Sequence, residues 1–321
     1  MFYELAVRIT GGGAISREEA LGLAKLGVSE IYELISASSM VTRYFRGSRL
    51  ELCSIINARS GGCSEDCSFC AQSSRYNTGA AVYPMVSPRE TLRQAAAMEK
   101  AGAKRFSIVA SGRGISGRDL DTVLAAVDLL KRETGLGLCA SLGIIDENKA
   151  LMLKQAGVTM YHHNLEASAG YYPLVCTTHP HAHRVKTVRA AQKAGLRVCC
   201  GGIIGLGESF EQRVDLAFEL KELGVDSVPV NFLTPIPGTP LEGAEPLAPL
   251  SLLHTLAVFR LILPGAVIRL CGGRKPGLGR LQPLAFMAGA DGVMIGDYLT
   301  TRGEDPDGDM EMFAALGLNL S

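Results

Sequence analysis

The chain has 321 residues, of which 47% are apolar and 20% charged, and its 32 basic residues balance its 32 acidic ones. Proteins that bind nucleic acids or anionic membranes usually carry a basic excess, so neither partner is predicted. The sequence contains no apolar run of about eighteen residues and no export leader, so we expect a cytoplasmic protein without a membrane span. Nine cysteines in a reducing compartment favour metal binding or catalysis over a set of disulfides.

The N-terminal segment predicts helices. Residues 15–47 open with SREEA, in which Ser16 and Glu19 have the spacing of a capping box. We therefore expect residues 1–48 to form a helical extension ahead of the main fold. Since no linker rich in Pro, Gly or Ser divides the chain, residues 1–321 are predicted to form a single domain, with a tail at 302–321 that packs on it.

Short apolar runs punctuated by glycine alternate with helical stretches through the rest of the chain, as they do in buried parallel sheets. The predicted strands are 52–58, 105–111, 136–143, 158–167, 196–205, 227–235, 267–273 and 292–296. The predicted helices between them are 88–101, 119–132, 147–155, 182–194, 210–223, 250–263 and 281–288. Eight alternations predict an α/β fold, a closed (β/α)8 barrel of the TIM type.

Three cysteines, Cys63, Cys67 and Cys70, lie in the loop GGCSEDCSFCAQSSRY that follows the first predicted strand. That position places them at the C-terminal mouth of the barrel, where functional residues of such barrels gather. A structural zinc site normally closes its shell with four ligands. Three thiolates on a [4Fe–4S] cube would instead leave one iron open to a further ligand. A zinc loop with a distant fourth ligand remains an alternative.

The C-x3-C-x2-C spacing, with Phe69 before the third cysteine, resembles the radical S-adenosylmethionine enzymes. In that family, the open iron binds the amino and carboxylate groups of the cofactor, whose cleavage gives a 5′-deoxyadenosyl radical. From about residue 50 onward, the chain is also similar in motif order and spacing to the biotin synthase family. The matching stretches are HHNLEAS (162–168), VCCGGIIGLGES (198–209), VNFLTPIPGTPL (230–241), VIRLCGGR (267–274) and FMAGADGVMIGDYLTT (286–301).

This resemblance implies roles for particular side chains. The three loop cysteines would hold the radical-forming cluster. The cofactor site would include Phe69, Asn164, Glu166 and Arg184; Glu166 stands where the family has an aspartate, and Arg184 would pair with the cofactor carboxylate. Dethiobiotin would be bound by Asn164, Asn231, Thr300 and Thr301. Without the resemblance, Asn164 could be a helix cap and Arg184 a surface charge.

The family takes sulfur from a [2Fe–2S] cluster that three cysteines and an arginine hold inside the barrel, and here the sequence departs from the pattern. Ser107 stands where the first of these cysteines is expected, and a hydroxyl is a poor iron ligand. Cys139, Cys199 and Arg269 match the other positions. Our hypothesis is a four-iron auxiliary cluster, with Arg269 as a ligand or neighbour, held by Cys53, Cys139, Cys199 and Cys271.

The proposed interior ligands follow partly from strand geometry. Arg269 and Cys271 are two residues apart on one strand, so they face the same side. Cys53 and Cys271 occupy places where the family commonly has serine, and the alternative is that they are small buried apolar residues. Cys200 is predicted to face the opposite way from Cys199 and to serve packing.

Two further features are left without a firm role. Cys176 has no clear assignment. His179, His181 and His183 alternate in a way that could bind a metal, but a solvated start of a helix is the preferred interpretation.

The resemblance implies sulfur insertion that converts dethiobiotin to biotin, with two molecules of S-adenosylmethionine and a one-electron donor such as flavodoxin or ferredoxin. A homodimer is a further expectation, although no sequence feature specifies the oligomeric state. The alternatives are another radical enzyme of this branch, making methylornithine or maturing a hydrogenase, and a non-catalytic iron–sulfur carrier.

Overall fold

The computed structural model describes residues 1–320. Its first 48 residues are largely helical, with α1 at Phe2–Thr10, α2 at Arg17–Gly22 and α3 at Val28–Arg46. The capping box at α2 is confirmed, because Ser16 Oγ accepts a hydrogen bond from the Glu19 amide and the Glu19 carboxylate accepts one from the Ser16 amide. Helix α1 precedes the capping-box motif and lies within the helical extension expected over residues 1–48.

Eight parallel strand positions close into a barrel. The strand order is β1-β2-β3-β4-β5-β7-β8-β9, and β9 pairs with β1 to close the ring. The strands are β1 (Arg49–Arg59), β2 (Arg105–Ala110), β3 (Gly137–Ser141), β4 (Met160–His162), β5 (Arg197–Cys199), β6 (Gly202–Ile204), β7 (Ser227–Phe232), β8 (Val267–Leu270) and β9 (Gly292–Met294). The predicted (β/α)8 fold class is confirmed.

Helices between the strands cover the outside of the barrel. They are α4 (Pro88–Lys100), α5 (Gly117–Glu133), α6 (Glu147–Ala156), α7 (His181–Lys193), α8 (Phe210–Leu223), α9 (Pro249–Ile262), α10 (Arg274–Leu278) and α11 (Gln282–Met287). Helix α9 is buried at every position from Leu252 to Ile262, so its Arg260 must find internal partners. It donates to backbone carbonyls and pairs with Asp291 at 2.5 Å.

The predicted strand 196–205 is divided into β5 and β6, and glycine at the junction explains the break. A Cβ on Gly201 would lie 2.0 Å from the Pro229 carbonyl oxygen, and one on Gly202 would lie 2.5 Å from the Glu166 carbonyl oxygen. The chain therefore approaches neighbouring backbone so closely that only glycine fits. β5 pairs with β7 through Cys199, and β6 pairs with β7 again beyond the break.

The last twenty residues return to the barrel. Helix α12 spans Pro306–Ala315, and the short strand β10 (Asn319–Leu320) pairs in parallel with the start of β1. Arg274 and Asp309, each about 1% exposed, form a bidentate ion pair between α10 and α12. Among residues 1–320, no helix has the length and apolar character needed to cross a membrane.

Candidate active site

The cysteine loop follows β1 and is held in shape by its own backbone. The Cys63 amide donates to the Gln72 carbonyl at 3.1 Å, and the Ser74 amide donates to the Cys63 carbonyl at 2.7 Å. The Cys70 amide donates to the Cys67 carbonyl at 2.9 Å. These turns bring the three cysteines, all of them free thiols, to the wall of one cavity of about 400 Å³.

A second anchor ties this loop to the segment ahead of α7. One Asp66 oxygen accepts hydrogen bonds from the Thr177 amide at 2.9 Å and the Thr178 amide at 3.1 Å. Burial opposes the charge, but the hydrogen bonds from Thr177 and Thr178 hold the pKa of Asp66 well below its usual range. The loop therefore has a fixed position relative to α7.

Asn164, Glu166 and Arg184, assigned from the sequence to the cofactor, lie together beside the cysteines. The Arg184 Nη1 atom is 2.9 Å from the Asn164 carbonyl and 3.5 Å from a Glu166 carboxylate oxygen, while Asn164 Nδ2 donates to Glu166 at 3.3 Å. Arg184 is a buried side chain, not a surface charge. Burial opposes its charge, but the Glu166 carboxylate raises the pKa of Arg184 above its ordinary value.

Glu166 has the only positive φ, 71°, of a non-glycine residue in the described chain. Its amide donates to the Gly201 carbonyl and its carbonyl accepts from the Ile203 amide, so the strained backbone is held from both sides. Burial raises the pKa of the Glu166 carboxyl, and the Arg184 charge opposes that shift. Backbone strain at a largely buried carboxylate is typical of a functional position.

The predicted dethiobiotin contacts line the same cavity as the loop cysteines. They come from the loop just after β4, from the end of β7 and from the segment after β9, and they are Asn164, Asn231, Thr300 and Thr301. Phe69 lines this cavity as well. The amide of Asn231 is already oriented, because its Oδ1 accepts from the Gly272 amide at 2.9 Å and its Nδ2 donates to the Gly202 carbonyl at 3.3 Å.

Four buried thiols from different strand positions lie near one another and near Arg269: Cys53, Cys139, Cys199 and Cys271. Of these four, Cys271 lines the cavity together with the three loop cysteines. Burial raises the pKa of all four thiols, to about 12 for Cys139 and about 11 for Cys199. Metal binding there must displace protons that the fold otherwise retains.

Arg269 lies among these thiols. Its Nη1 donates to the Glu51 carbonyl at 2.8 Å, and its Nη2 is 3.1 Å from the Glu51 carboxylate. Burial opposes its charge, but the surrounding Cys53, Cys199 and Cys271 groups raise the pKa of Arg269. The guanidinium thus has anchoring partners on β1 and supplies a positive charge to a sulfur-rich interior.

His162 is an interior residue that the sequence analysis gave no individual role. It lies on β4 opposite Cys199 and faces the cavity. Burial, followed by the charges of Arg269 and Arg105, lowers the pKa of His162 to about 3, so the ring is neutral. Its two-residue spacing from Met160, which packs with Cys139 and Cys199, could have identified it as an inward-facing side chain.

The segment ahead of α7 corrects one interpretation. Helix α7 does begin at His181, but His179 is only 4% exposed and is not solvated. Its Nδ1 lies 2.5 Å from Glu65 and 3.3 Å from the Cys176 thiol. The sequence could not reveal this contact, because Glu65 and His179 are 114 positions apart.

Cys176 lies against the mouth cysteines. Its sulfur, the Cys67 sulfur and a His179 nitrogen lie within 4.8 Å of one another, a set that could hold a metal ion only by sharing Cys67 with the cysteine loop. A hydrogen bond with Cys67 lowers the pKa of Cys176 to about 3. Cys200, in contrast, packs in the main apolar core, as its position next to Cys199 predicted.

A parallel barrel with a three-thiol loop at its mouth is characteristic of the radical S-adenosylmethionine class of iron–sulfur enzymes. Residues 58–220 match the family model of the radical SAM superfamily, and residues 229–319 match that of the biotin and thiamin synthesis associated domain. The chain is 57% identical over 320 residues, 100% of both chains, to biotin synthase of Pelotomaculum thermopropionicum. It is 50% identical to that of Heliobacterium modesticaldum, covering 97% of this chain and 95% of the relative. The chain belongs to the biotin synthase family.

Solved structures agree on the fold. A crystal structure of methylornithine synthase superposes with a TM-score of 0.87 at 22% identity, covering 99% of this chain and 97% of the other. A maturase of the [FeFe]-hydrogenase superposes with a TM-score of 0.84 at 15% identity, covering 100% of this chain and 75% of the other. At these identities the likeness concerns the fold alone.

Membership of this family makes the chain a radical enzyme that inserts sulfur and uses a [4Fe–4S] cluster together with S-adenosylmethionine. The residues present fit these groups. Three free thiols share a cavity with a carboxylate and an arginine, which match the amino and carboxylate groups of the cofactor in charge.

Proposed function

We propose that the chain converts dethiobiotin to biotin, with sulfur taken from an auxiliary cluster inside the barrel. The observation that carries this proposal is the shared cavity, which is lined both by Cys271 and by the three loop cysteines. A substrate placed between the two sets of thiols would face the radical source and the sulfur source at once. The apolar strand residues Ile55 and Val109 border the same space and suit a hydrocarbon chain.

The mouth residues divide into cluster and cofactor contacts in this proposal. Cys63, Cys67 and Cys70 hold the [4Fe–4S] cluster and leave one iron open. Arg184 pairs with the cofactor carboxylate, and Glu166 with Asn164 receives its amino group. Phe69 packs beside the cluster, since it contacts the buried group formed by Cys67, Tyr172 and Cys176.

Dethiobiotin is bound between β4 and the segment that follows β9. Asn231 and Asn164 orient the ureido ring, because their side-chain amides are already fixed by backbone hydrogen bonds. Thr300 and Thr301 receive the carboxylate. An amide that is preorganised by the fold loses little conformational entropy on binding.

The interior site holds a four-iron cluster through Cys53, Cys139, Cys199 and Cys271. Ser107 supports this ligand set, because its buried hydroxyl has no hydrogen-bond partner among the described residues although it lies opposite Cys139. Arg269 is the neighbour that balances charge, since its guanidinium already donates to Glu51. When bound, the mouth cluster together with S-adenosylmethionine would supply a deoxyadenosyl radical. The auxiliary cluster would supply the sulfur atom in the interior.

The chain contributes placement and exclusion of water. The interior thiols are at most 3% exposed, so reactive species would be kept from solvent. A one-electron donor such as flavodoxin or ferredoxin is required by the chemistry. The single-domain organisation, a homodimer and a cytoplasmic location stay predictions.

One experiment tests this function. The anaerobically reconstituted chain is incubated with dethiobiotin, S-adenosylmethionine and a reductant, and biotin and 5′-deoxyadenosine are measured by mass spectrometry. We expect both products, and neither from a Cys70→Ala variant. Deoxyadenosine without biotin would assign the chain to another reaction of the radical class, and absence of both products would favour an iron–sulfur carrier.

A further inference from the structure

A buried chain of hydrogen bonds runs from the cofactor site back to the cysteine loop. Arg184 Nε lies 2.7 Å from the Tyr172 hydroxyl, which lies 2.8 Å from His179 Nε2. His179 Nδ1 lies 2.5 Å from a carboxylate oxygen of Glu65, the residue between Cys63 and Cys67. All four side chains are less than 9% exposed, so water does not substitute for any of these contacts.

The donors and acceptors determine the direction of donation along this series of hydrogen bonds, from Arg184 towards Glu65. A guanidinium can only donate, so the Tyr172 oxygen accepts from Arg184 and its single hydrogen is directed to His179. His179 Nε2 is then the acceptor of the Tyr172 hydrogen, and the ring hydrogen is assigned to Nδ1, which faces Glu65. Glu65 also accepts from the Thr178 and Ser64 hydroxyls at 2.8 and 3.0 Å, so both of its oxygens are engaged.

This series of hydrogen bonds holds Arg184 in one orientation. The guanidinium has a further contact to the Asn164 carbonyl, an ion pair with Glu166 and a position 5.4 Å from the Tyr172 ring centre. The hydrogen bond from Nε fixes the plane of the guanidinium, whose two terminal nitrogens form the fork that would face a carboxylate. The other contacts use those terminal nitrogens or the face of a ring. A planar guanidinium recognises a carboxylate well only when its fork is aligned.

We propose that Tyr172, His179 and Glu65 are positioning residues that align Arg184 for the carboxylate of S-adenosylmethionine. This inference rests on the proposed role of Arg184. Because Glu65 belongs to the cysteine loop, the same series of hydrogen bonds couples the position of Arg184 to the position of the cluster. His179 reaches its partners from a segment that Asp66 holds against the loop.

The test measures the equilibrium affinity of the cluster-loaded full chain for S-adenosylmethionine. Tyr172→Phe keeps the aromatic ring and removes the hydroxyl that links Arg184 to His179. His179→Leu removes both ring nitrogens. We expect each variant to bind the cofactor about tenfold more weakly, the effect of losing one buried hydrogen bond. The double variant should bind no more weakly than either single variant, since one break interrupts the whole chain.

Two controls separate alignment from packing. His179→Gln offers an acceptor and a donor in place of the ring nitrogens and should restore most of the affinity. His181→Leu alters a histidine whose ring lies 5.4 Å from the same tyrosine ring but which pairs with Glu219, so its affinity should match that of the unmodified chain. Deoxyadenosine formation at saturating cofactor should stay near normal in all variants.

The proposal is overturned if His179→Leu binds the cofactor normally, if His179→Gln is as weak as His179→Leu, or if His181→Leu is weakened equally. Variants that do not load the cluster are covered by a second measurement. In the cluster-free full chain, nitrogen NMR of labelled histidine should find the His179 hydrogen on Nδ1, and a hydrogen on Nε2 would contradict the direction of the chain. Failure of the proposed function would instead appear as an unmodified, cluster-loaded chain that cleaves no cofactor.

Discussion

Ser107 on β2 lies directly opposite Cys139 on β3, and its buried hydroxyl has no hydrogen-bond partner in the described chain. Val109, two residues further on, lines the cavity, so Ser107 faces the barrel interior as well. An orphaned hydroxyl beside a buried thiol is expected where an interior group occupies the space between them. The serine contributes no thiolate, which leaves the ligands to the other strands.

Substitution at this pair should have unequal effects. Ser107→Ala is expected to leave the iron and sulfide content and the auxiliary absorption spectrum unchanged, because the hydroxyl is no ligand. Cys139→Ala should lower both contents. Iron and sulfide assays with visible spectroscopy on the two reconstituted variants provide the measurement. Equal losses in both variants would place Ser107 in the ligand set.

The auxiliary cluster type can be separated from the mouth cluster. A variant with alanine at Cys63, Cys67 and Cys70 should retain about four iron atoms per chain, the content of a cube held by four thiolates. Adding Cys271→Ser should lower that content and change the spectrum. Retention of about two iron atoms, unaffected by the Cys271 change, would favour a two-iron cluster held without it.

Arg184 should govern cofactor binding through the geometry of its fork. Arg184→Lys keeps the positive charge beside Glu166 but loses the second parallel hydrogen bond, so affinity for S-adenosylmethionine should fall roughly 10- to 100-fold, which is about 1.5–3 kcal/mol. Arg189→Lys, on the exposed side of the same helix, is the matched control and should bind normally. The measurement is equilibrium binding of S-adenosylmethionine to the cluster-loaded protein. Equal affinities in the two variants would show that Arg184 is not part of the cofactor site.

The raised thiol pKa values predict a pH dependence of the cluster-free fold. A group with a pKa of about 11 or 12 in the folded chain binds its proton more tightly there than in the unfolded chain. Its contribution to stability is fully present below the unfolded value of about 9 and is lost as the pH rises toward 11 or 12. Each thiol should therefore lower the free energy of unfolding by about 1.4 kcal/mol per pH unit in this window.

Comparison with a serine variant isolates this effect from other groups that titrate at high pH. Denaturant unfolding of the unmodified chain and of Cys139→Ser should differ by a constant amount below pH 8. Between pH 9 and 11 the difference should shift in favour of the variant. A constant difference in the free energy of unfolding across the whole range would mean that burial does not raise the pKa of Cys139.

The C-terminal tail should depend on one buried ion pair. Asp309→Ala leaves Arg274 buried without its counter-charge, so the free energy of unfolding should fall by about 3–5 kcal/mol. Glu304→Ala, which breaks a pair with the exposed Lys275, should cost about 1 kcal/mol or less. Chemical denaturation measures both. A loss of the same small size in both variants would indicate that the tail does not depend on the buried pair.

Local patterns carried most of the fold prediction. Apolar runs and glycines located all eight barrel strand positions. The two-residue spacing of Arg269 and Cys271 predicted that they share a face, and both are buried near Cys53 and Cys199. The break between β5 and β6 was missed, because it depends on how closely Gly201 approaches Pro229, 28 positions further along the chain. Periodicity within one strand contains no information about such a contact.

Site residues were predictable where a motif carried them and not where tertiary contacts did. The position of the cysteine loop after the first predicted strand indicated that its cysteines lie at the barrel mouth, and all three line one cavity there. His179 was read as a solvated residue, since its polar neighbours resemble a helix start, and its burial depends on Glu65 and Tyr172. The positive φ of Glu166 was likewise invisible, because the carbonyl of Gly201 and the amide of Ile203 impose it.

The central claim is that sulfur leaves an interior cluster held by strand thiols and enters a substrate in the shared cavity. The most direct test is a single turnover with chain reconstituted in sulfur-34 sulfide, in buffer that contains only natural-abundance sulfide, with the mass of biotin measured. The account predicts biotin two mass units heavier from the unmodified chain and no biotin from Cys139→Ala. Biotin of ordinary mass, or labelled biotin in equal yield from the variant, would contradict it.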